Sequence, residues 1–343
     1  MVRDPFSEPV RAIEVGDRHI SELVEAMRDT AYQARSLGEV LRVWEEAIKA
    51  RDTVIFLGLA GSMSTAGQWK MVKWLIERRF VDVLVSTGAN ITEDLVEAMG
   101  FRYWKGSPYV NDAELRAMRV YRFHDVFVRE SDYLRMEQLL ADFMLGLDGS
   151  GPYSSAELLF LLGRHLSDRG IDGILTSAYR RRVPVFSPAL VDSGFGVAYL
   201  LNRHRKKDFR LLVDHFKDFE QIVTIKSRFS DSAAVFIGGG VPKDFIQLAA
   251  VSVDVLLSGD LLTTRPHRFA AQVTTDSPFW GGLSGATLEE AVSWGKESGE
   301  SLKAQCFCDA TIALPLLTHA LHEKFREGRK GPDLSWVFEE VIR

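Results

Sequence analysis

Apolar runs that end in small-residue loops and lead into helical patterns recur along this chain, and they limit its fold more than any other feature. Thr53 to Leu59 is such a run, closing on Gly58 and Gly61, with a helical pattern from Ser64 to Phe80. Val81 to Ser86 repeats the arrangement and ends in Thr87-Gly88-Ala89-Asn90, before a helical pattern from about Thr92. Ile171 to Thr176 and Val183 to Phe186 read as further short strands. Ala233 to Ile237 ends in Gly238-Gly239-Gly240 and precedes a helix near Lys243 to Leu257. Phe269 to Thr275 reads as a strand, followed by a glycine-rich loop and a helix over 288–294. Ala304 to Cys308 reads as the last strand, with Asp309-Ala310 after it and a helix broken by Pro315. A strand buried on both faces shows as a continuous apolar run, and a helix returns the chain before the next parallel strand. The pattern predicts an α/β protein of parallel β/α winding.

Ahead of this alternation, residues 1–16 read as an irregular arm containing Pro5 and Pro9. From Ile20 to Ala50 apolar residues recur at three- and four-residue steps, which predicts one or two helices packed on the core. The expected organisation is an N-terminal arm with helices over 1–50 and a single α/β catalytic domain over 51–343. The stretch 148–156, DGSGPYSSA, reads as a loop.

The chain has 343 residues, 46% of them hydrophobic and 26% charged, with a formal net charge of −5. That balance gives no electrostatic footprint for nucleic acid and suits a cationic small molecule better. The two cysteines, Cys306 and Cys308, lie two apart in an apolar segment, so a strand would turn both to one face. A lone C-x-C pair is a poor metal site, so buried free thiols in a reducing cytosol are expected, and no metal. The N-terminus lacks the apolar core of a signal peptide, and no apolar run is long enough to span a membrane. A cytoplasmic location is expected.

Chemistry is expected first at the strand ends. There, backbone N–H groups and helix N-termini face a ligand crevice in parallel sheets. Gly58 to Thr65, Ser86 to Asn90, Gly238 to Gly240 and Asp309-Ala310 supply small residues at four such ends, although tight turns need them equally. None matches the G-x-G-x-x-G fingerprint. Glu93, Asp192 and Asp309 follow these loops; each could bind ribose hydroxyls or simply support a helix N-terminus.

A different signal sits at Glu290 to Lys296, Glu-Ala-Val-Ser-Trp-Gly-Lys. Thr287 to Glu290 reads as a capping box, Gly295 as a helix stop, and Lys296 follows the stop directly. A lysine held beside Trp294 with a glutamate nearby is a candidate amine nucleophile, since an ammonium must lose its proton before attacking a carbonyl or imine. A lysine also complements a helix C-terminus without any chemistry.

This peptide resembles the active-site lysine peptide of the deoxyhypusine synthase family. The similarity runs from Thr53 to about His319. It includes Phe56-Leu57-Gly58, Val81 to Val85, Glu93-Asp94-Leu95, Pro184 to Ala189, Gly238 to Val241, Ser284-Gly285-Ala286 and Asp309-Ala310. The resemblance implies a doubly wound sheet with Rossmann-like NAD-binding topology, and a homotetramer with active sites at subunit interfaces. It implies an NAD-dependent transfer of an aminobutyl group from spermidine through an imine on Lys296. The family's acceptor is a lysine of a translation initiation factor; a homospermidine synthase-like transfer to a small diamine, or a catalytically silent oligomer partner, are the alternatives. By the same resemblance Glu290 and Trp294 line the polyamine site. Thr65, Thr87, Gly88, Glu93, Asp192, Gly239, Gly240, Ser284, Asp309 and Ala310 face the cofactor.

The departures from the family pattern fall on the substrate side. Val197 stands where the family has an aspartate, Asp244 where it has a histidine, and Leu283 where it often has an aspartate. Trp280 lies near another acidic family position, and Gly61-Ser62 replaces a Ser-Asn pair. Asp244 is thus a carboxylate gained near the expected site and a candidate ligand for a substrate cation, a guanidino-amine such as agmatine among them.

Overall fold

The computed structural model describes residues 6–147 and 151–342. The five N-terminal residues of the expected arm and residues 148–150 of the expected loop therefore lie outside the described residues.

In chain order, α1 (Ile20–Arg28) and α2 (Tyr32–Lys49) precede β1 (Thr53–Leu59), α3 (Trp69–Glu77), β2 (Val83–Ser86) and α4 (Gly88–Ala98). Next come β3 (Trp104–Lys105), α5 (Asp112–Ala117), β4 (Val120–Phe123), β5 (Val126–Arg129) and α6 (Glu130–Leu145). The chain continues through α7 (Ser155–Asp168), α8 (Ile174–Arg181), β6 (Val185–Phe186), α9 (Gly194–Arg205) and α10 (His215–Ser227). It closes with β7 (Asp231–Ile237), α11 (Gly240–Ser258), β8 (His267–Thr274), β9 (Glu297–Phe307), α12 (Ala310–Lys324) and α13 (Glu339–Ile342).

The main sheet has six strands in the order β6-β2-β1-β7-β8-β9. Counted among themselves these strands run 3-2-1-4-5-6, the doubly wound order expected. The pairs β2–β6, β7–β8 and β8–β9 are parallel. All residues of β1 and β2 are buried, which explains why these strands read as unbroken apolar runs.

Two compact units divide the chain, one comprising residues 1–58 and 226–330, the other 59–225 and 331–343. In the first, α2 packs on β8 and β9, and α1 packs on α2 and α12. Glu323 of α12 accepts from the backbone N–H groups of Ile20 and Ser21 at 3.3 and 2.7 Å, satisfying donors that open a helix. Lys324 pairs with Glu45 at 2.9 Å. In the second unit, α3 and α7 pack on α8, α6 packs on α9, and β3, β5 and β4 form a small antiparallel sheet.

Several expected elements differ. Ile171 to Thr176 is not a strand: Ile174 opens α8, its N–H donating to Asp94 Oδ2 at 2.8 Å. A short apolar run fits a buried helix as well as a strand, and only this distant cap decides. Pro315 does not break α12, which runs through it with Ala313, Leu314, Leu317, Ala320 and Leu321 buried. Packing of that face outweighs one lost backbone hydrogen bond. β9 begins at Glu297 rather than Ala304, because the polar stretch 297–303 lies on an edge strand and carries no apolar run. Cys306 is buried, and burial pushes its thiol up to about 12, whereas Cys308 lies past the end of β9 and is half-buried.

Candidate functional site

Lys296 is the residue immediately before β9, so its backbone sits at an amino end of the sheet rather than a carboxyl end. Glu290–Trp294 forms a single 3-10 segment, shorter than the helix expected over 288–294. Thr287 Oγ1 accepts from Glu290 N at 3.0 Å, which is the first half of the expected capping box. Gly295 stops the segment at φ +72°, and a Cβ there would come within 2.7 Å of the Thr264 side chain. Glycine is therefore required by conformation and by space. Lys296 N then donates to Ala291 O at 3.1 Å, and Lys296 O accepts from His267 N at 2.9 Å. Both ends of its peptide unit are fixed.

The Lys296 side chain reaches Asp244, in the second turn of α11. Nζ donates to Oδ1 at 2.6 Å, with the two side chains 12% and 31% exposed. This is the short range of a charge-assisted bond. The Trp294 ring centroid lies 5.7 Å from Nζ, within reach of a cation–π attraction, and the ring is 67% exposed. Glu290 is exposed; the carboxylate that meets the amine is Asp244. Beneath Lys296, Glu297 is buried and accepts from Gln247 Nε2 at 3.0 Å. Burial pushes its carboxyl up, opposed by Gln247 and by the Lys243, Lys296 and Lys303 charges.

Lys243, next to Asp244, is buried and holds three acceptors: Gln272 Oε1 at 3.0 Å, Leu283 O at 3.3 Å and Ala286 O at 2.6 Å. Three acceptors match the three donors of an ammonium. Burial nevertheless lowers this group to about 8. Gln272 Nε2 donates to Gly238 O and Ser284 O, both at 2.9 Å, and Gly240 N donates to Ser284 Oγ at 3.0 Å. The network ties Gly238–Gly240, at the start of α11, to Ser284. A Cβ on Gly239 would come within 2.5 Å of Ser284 Cα. Lys243 and Gln272 were not foreseen as site residues; Gln272, a lone amide inside Phe269 to Thr275, was the available signal. Phe279 and Trp280 stand 91% and 76% exposed on the loop before Ser284, and Leu283 is 38% exposed. Asp309 caps α12, accepting from Thr311 N at 2.7 Å, with Ala310 the first helical residue.

The remaining expected cofactor positions belong to the other compact unit. Thr87 caps α4 through Oγ1, accepting from Asn90 N at 3.3 Å. Asn90 Oδ1 in turn accepts from Met63 N and Ser64 N at 2.9 and 3.2 Å, fixing the loop that carries Thr65. A Cβ on Gly88 would come within 2.6 Å of Ser193 Oγ, so this glycine lies against the loop bearing the exposed Asp192. Glu93 is buried in α4; its Oε1 accepts from Ser62 Oγ at 3.1 Å, and its Oε2 has no hydrogen-bond partner. The Thr65 hydroxyl lies close enough to favour the carboxylate without an aligned bond, its own Oγ1 being unpartnered. Burial pushes Glu93 up, and its charge raises the neighbouring Tyr103 and Tyr133 phenols beyond what burial alone does. Val197, in α9, is 43% exposed. Among the described residues no helix is long and apolar enough to cross a membrane.

The family model for deoxyhypusine synthase matches residues 22–321. "Probable deoxyhypusine synthase 2" of Methanosarcina mazei is 43% identical over 331 residues, covering 96% of this chain and 94% of the relative. "Deoxyhypusine synthase-like protein" of Chlorobaculum tepidum is 35% identical over 338 residues, covering 97% and 95%. The crystal structure of "a putative deoxyhypusine synthase from Entamoeba histolytica" superposes with a TM-score of 0.62 at 18% identity, covering 93% of this chain and 100% of that one. At that identity the superposition speaks for the fold.

Proposed function

This chain belongs to the deoxyhypusine synthase family, a family of aminobutyl transferases, and we propose that it moves an aminobutyl group from spermidine or a related polyamine, through an imine on Lys296, to an acceptor amine. The observation that carries the reading is the fixed Lys296 amine, 2.6 Å from Asp244 and under the Trp294 ring. A polyamine needs a carboxylate for an ammonium and an aromatic wall for its methylenes, and these two residues supply both.

NAD is the proposed cofactor. Its chemistry is to take a hydride from the carbon beside the substrate's secondary nitrogen and later to return it. The chain's own residues fit such a group. Glu93 Oε2 is a buried acceptor without a donor, as ribose hydroxyls would supply. Thr87-Gly88 and Gly239-Gly240 open α4 and α11, where N–H groups favour phosphate. Thr65, Asp192, Ser284, Asp309 and Ala310 complete the proposed set.

At the reacting carbon the Lys296 amine attacks the substrate imine. A new C–N bond forms, the bond to the leaving nitrogen breaks, and diaminopropane departs with the proton Lys296 gives up. The acceptor amine then displaces Lys296 by the reverse exchange. The proposed acceptor is a lysine of a translation initiation factor, in the cytoplasm, on a homotetramer with interfacial active sites. Transfer to a small diamine is the second reading, favoured by Val197 and Leu283, where two carboxylates of the family pattern are lost against the one gained at Asp244.

Incubation with NAD and spermidine, followed by borohydride reduction and peptide mass spectrometry, tests the reading. An aminobutyl adduct on Lys296 is expected, absent in Lys296→Ala, with turnover down about 10³-fold or more. No adduct with any polyamine would overturn it. Radiolabelled spermidine then separates a protein product from a small diamine product.

A further inference from the structure

We infer that Asp244 is an exchangeable counter-ion, which holds the Lys296 ammonium in the free chain and transfers to an ammonium of the incoming amine, so that the nucleophile is released only when substrate is bound. The inference rests on Lys296 being the reactive amine.

The charges around Lys296 leave Asp244 alone in this role among the described residues. Glu297 is 1% exposed and engaged by Gln247, so no substrate reaches it. Lys243 has all three donors in use at Gln272, Leu283 and Ala286, and so does not compete for Asp244. Glu290 is exposed and held by its backbone to Thr287; its charge reaches Lys243, but the ion pair that the amine makes is with Asp244. Lys303 is occupied by Ser298 O at 2.8 Å. Only Asp244 both touches Nζ, at 2.6 Å, and keeps 31% of its side chain open to solvent.

While Nζ donates to Oδ1 it is an ammonium with no lone pair to offer. A second cation arriving at Asp244 displaces it. Two ammonium groups beside one carboxylate repel, and the repulsion is relieved when Lys296 gives its proton to water. The carboxylate ends on the substrate, and the lysine ends as a free amine beside it. A histidine in place of Asp244 could not hold a lysine ammonium in this way.

The test uses the full-length protein at one fixed pH, without NAD. Lys296 is alkylated by butanal: amine and aldehyde lose water to form an imine, which cyanoborohydride reduces. The readout is mass spectrometry of the Lys296 peptide, with the exposed Lys49 as internal reference. Asp244→Asn is expected to speed alkylation of Lys296 by roughly two- to fivefold, the scale of one partly exposed ion pair. Asp244→Glu, which keeps a carboxylate, should stay near the wild-type rate. Tetramethylputrescine, a dication that cannot condense with the aldehyde, should speed the wild type and leave Asp244→Asn unchanged. An Asp244→Asn rate equal to or below wild type, or no response of the wild type to the dication, would overturn the inference. Neither transfer nor cofactor enters this readout, so a failure here is distinct from a failure to form the aminobutyl adduct.

Discussion

Asp244 and the pair Glu93–Asp94 occupy the same kind of place, the second turn of a helix that follows a parallel strand, and yet they have opposite characters. Asp244 is partly open and faces the Lys296 ammonium at 2.6 Å. Glu93 and Asp94 are 2% and 1% exposed, and their partners are a serine hydroxyl and a backbone N–H. Burial pushes Glu93 up and carries Asp94 up to about 7. The position along the helix does not set the behaviour. A cation opposite keeps a carboxylate ready for charge exchange, whereas neutral donors in a dry setting leave it with unmet acceptor capacity.

Removing the cation from the first region should have the largest effect. Lys243→Met leaves the carbonyls of Leu283 and Ala286 without their donor, at about 1–3 kcal/mol for each group left unsatisfied, so a clear loss in urea unfolding is expected, together with weaker cofactor binding through the Ser284 loop. Unchanged stability would mean that the network does not hold the loop.

In the second region, Asp94 makes stability depend on pH. The unfolded chain gives up this proton near 3.8, and the folded protein keeps it to about 7. Between those values the folded state binds more protons, so stability falls as pH rises and is lowest above about 7. Asp94→Asn keeps the acceptor for Ile174 N and removes the charge. It should flatten that decline, by a few kcal/mol at most, in melting curves taken from pH 4 to pH 8. A decline as steep as wild type would assign the pH dependence to other groups.

Glu93→Gln probes the unmet acceptor itself. It should weaken NAD binding by about 10- to 100-fold in calorimetry, the scale of a hydrogen bond to a charged group, with little change in melting temperature. Unaltered affinity would remove Glu93 from the cofactor site and dissolve the contrast with Asp244.

Much of this was legible beforehand where one short segment carries the information. Thr53 to Leu59 and Val81 to Ser86 read as strands because burial on both faces leaves a largely apolar run. Gly295 shows as a stop because only glycine adopts φ +72° readily and tolerates Thr264 so close. Elements set by distant partners were not legible. Ile174 starts a helix because Asp94 caps it from 80 residues away. The first half of β9 is polar and shows no pattern until it pairs with β8.

The sequence by itself determined the parallel winding, the glycine turns and the lysine peptide, since each rests on local conformation or on a run of neighbouring residues. Only the tertiary structure decided what the lysine meets. Nζ pairs with a carboxylate 52 residues earlier in the chain, and the glutamate six residues before it stays in solvent. The reason is geometric. A helix packed on the sheet brings its second turn to the reach of one long side chain, and no periodicity in the sequence records that distance.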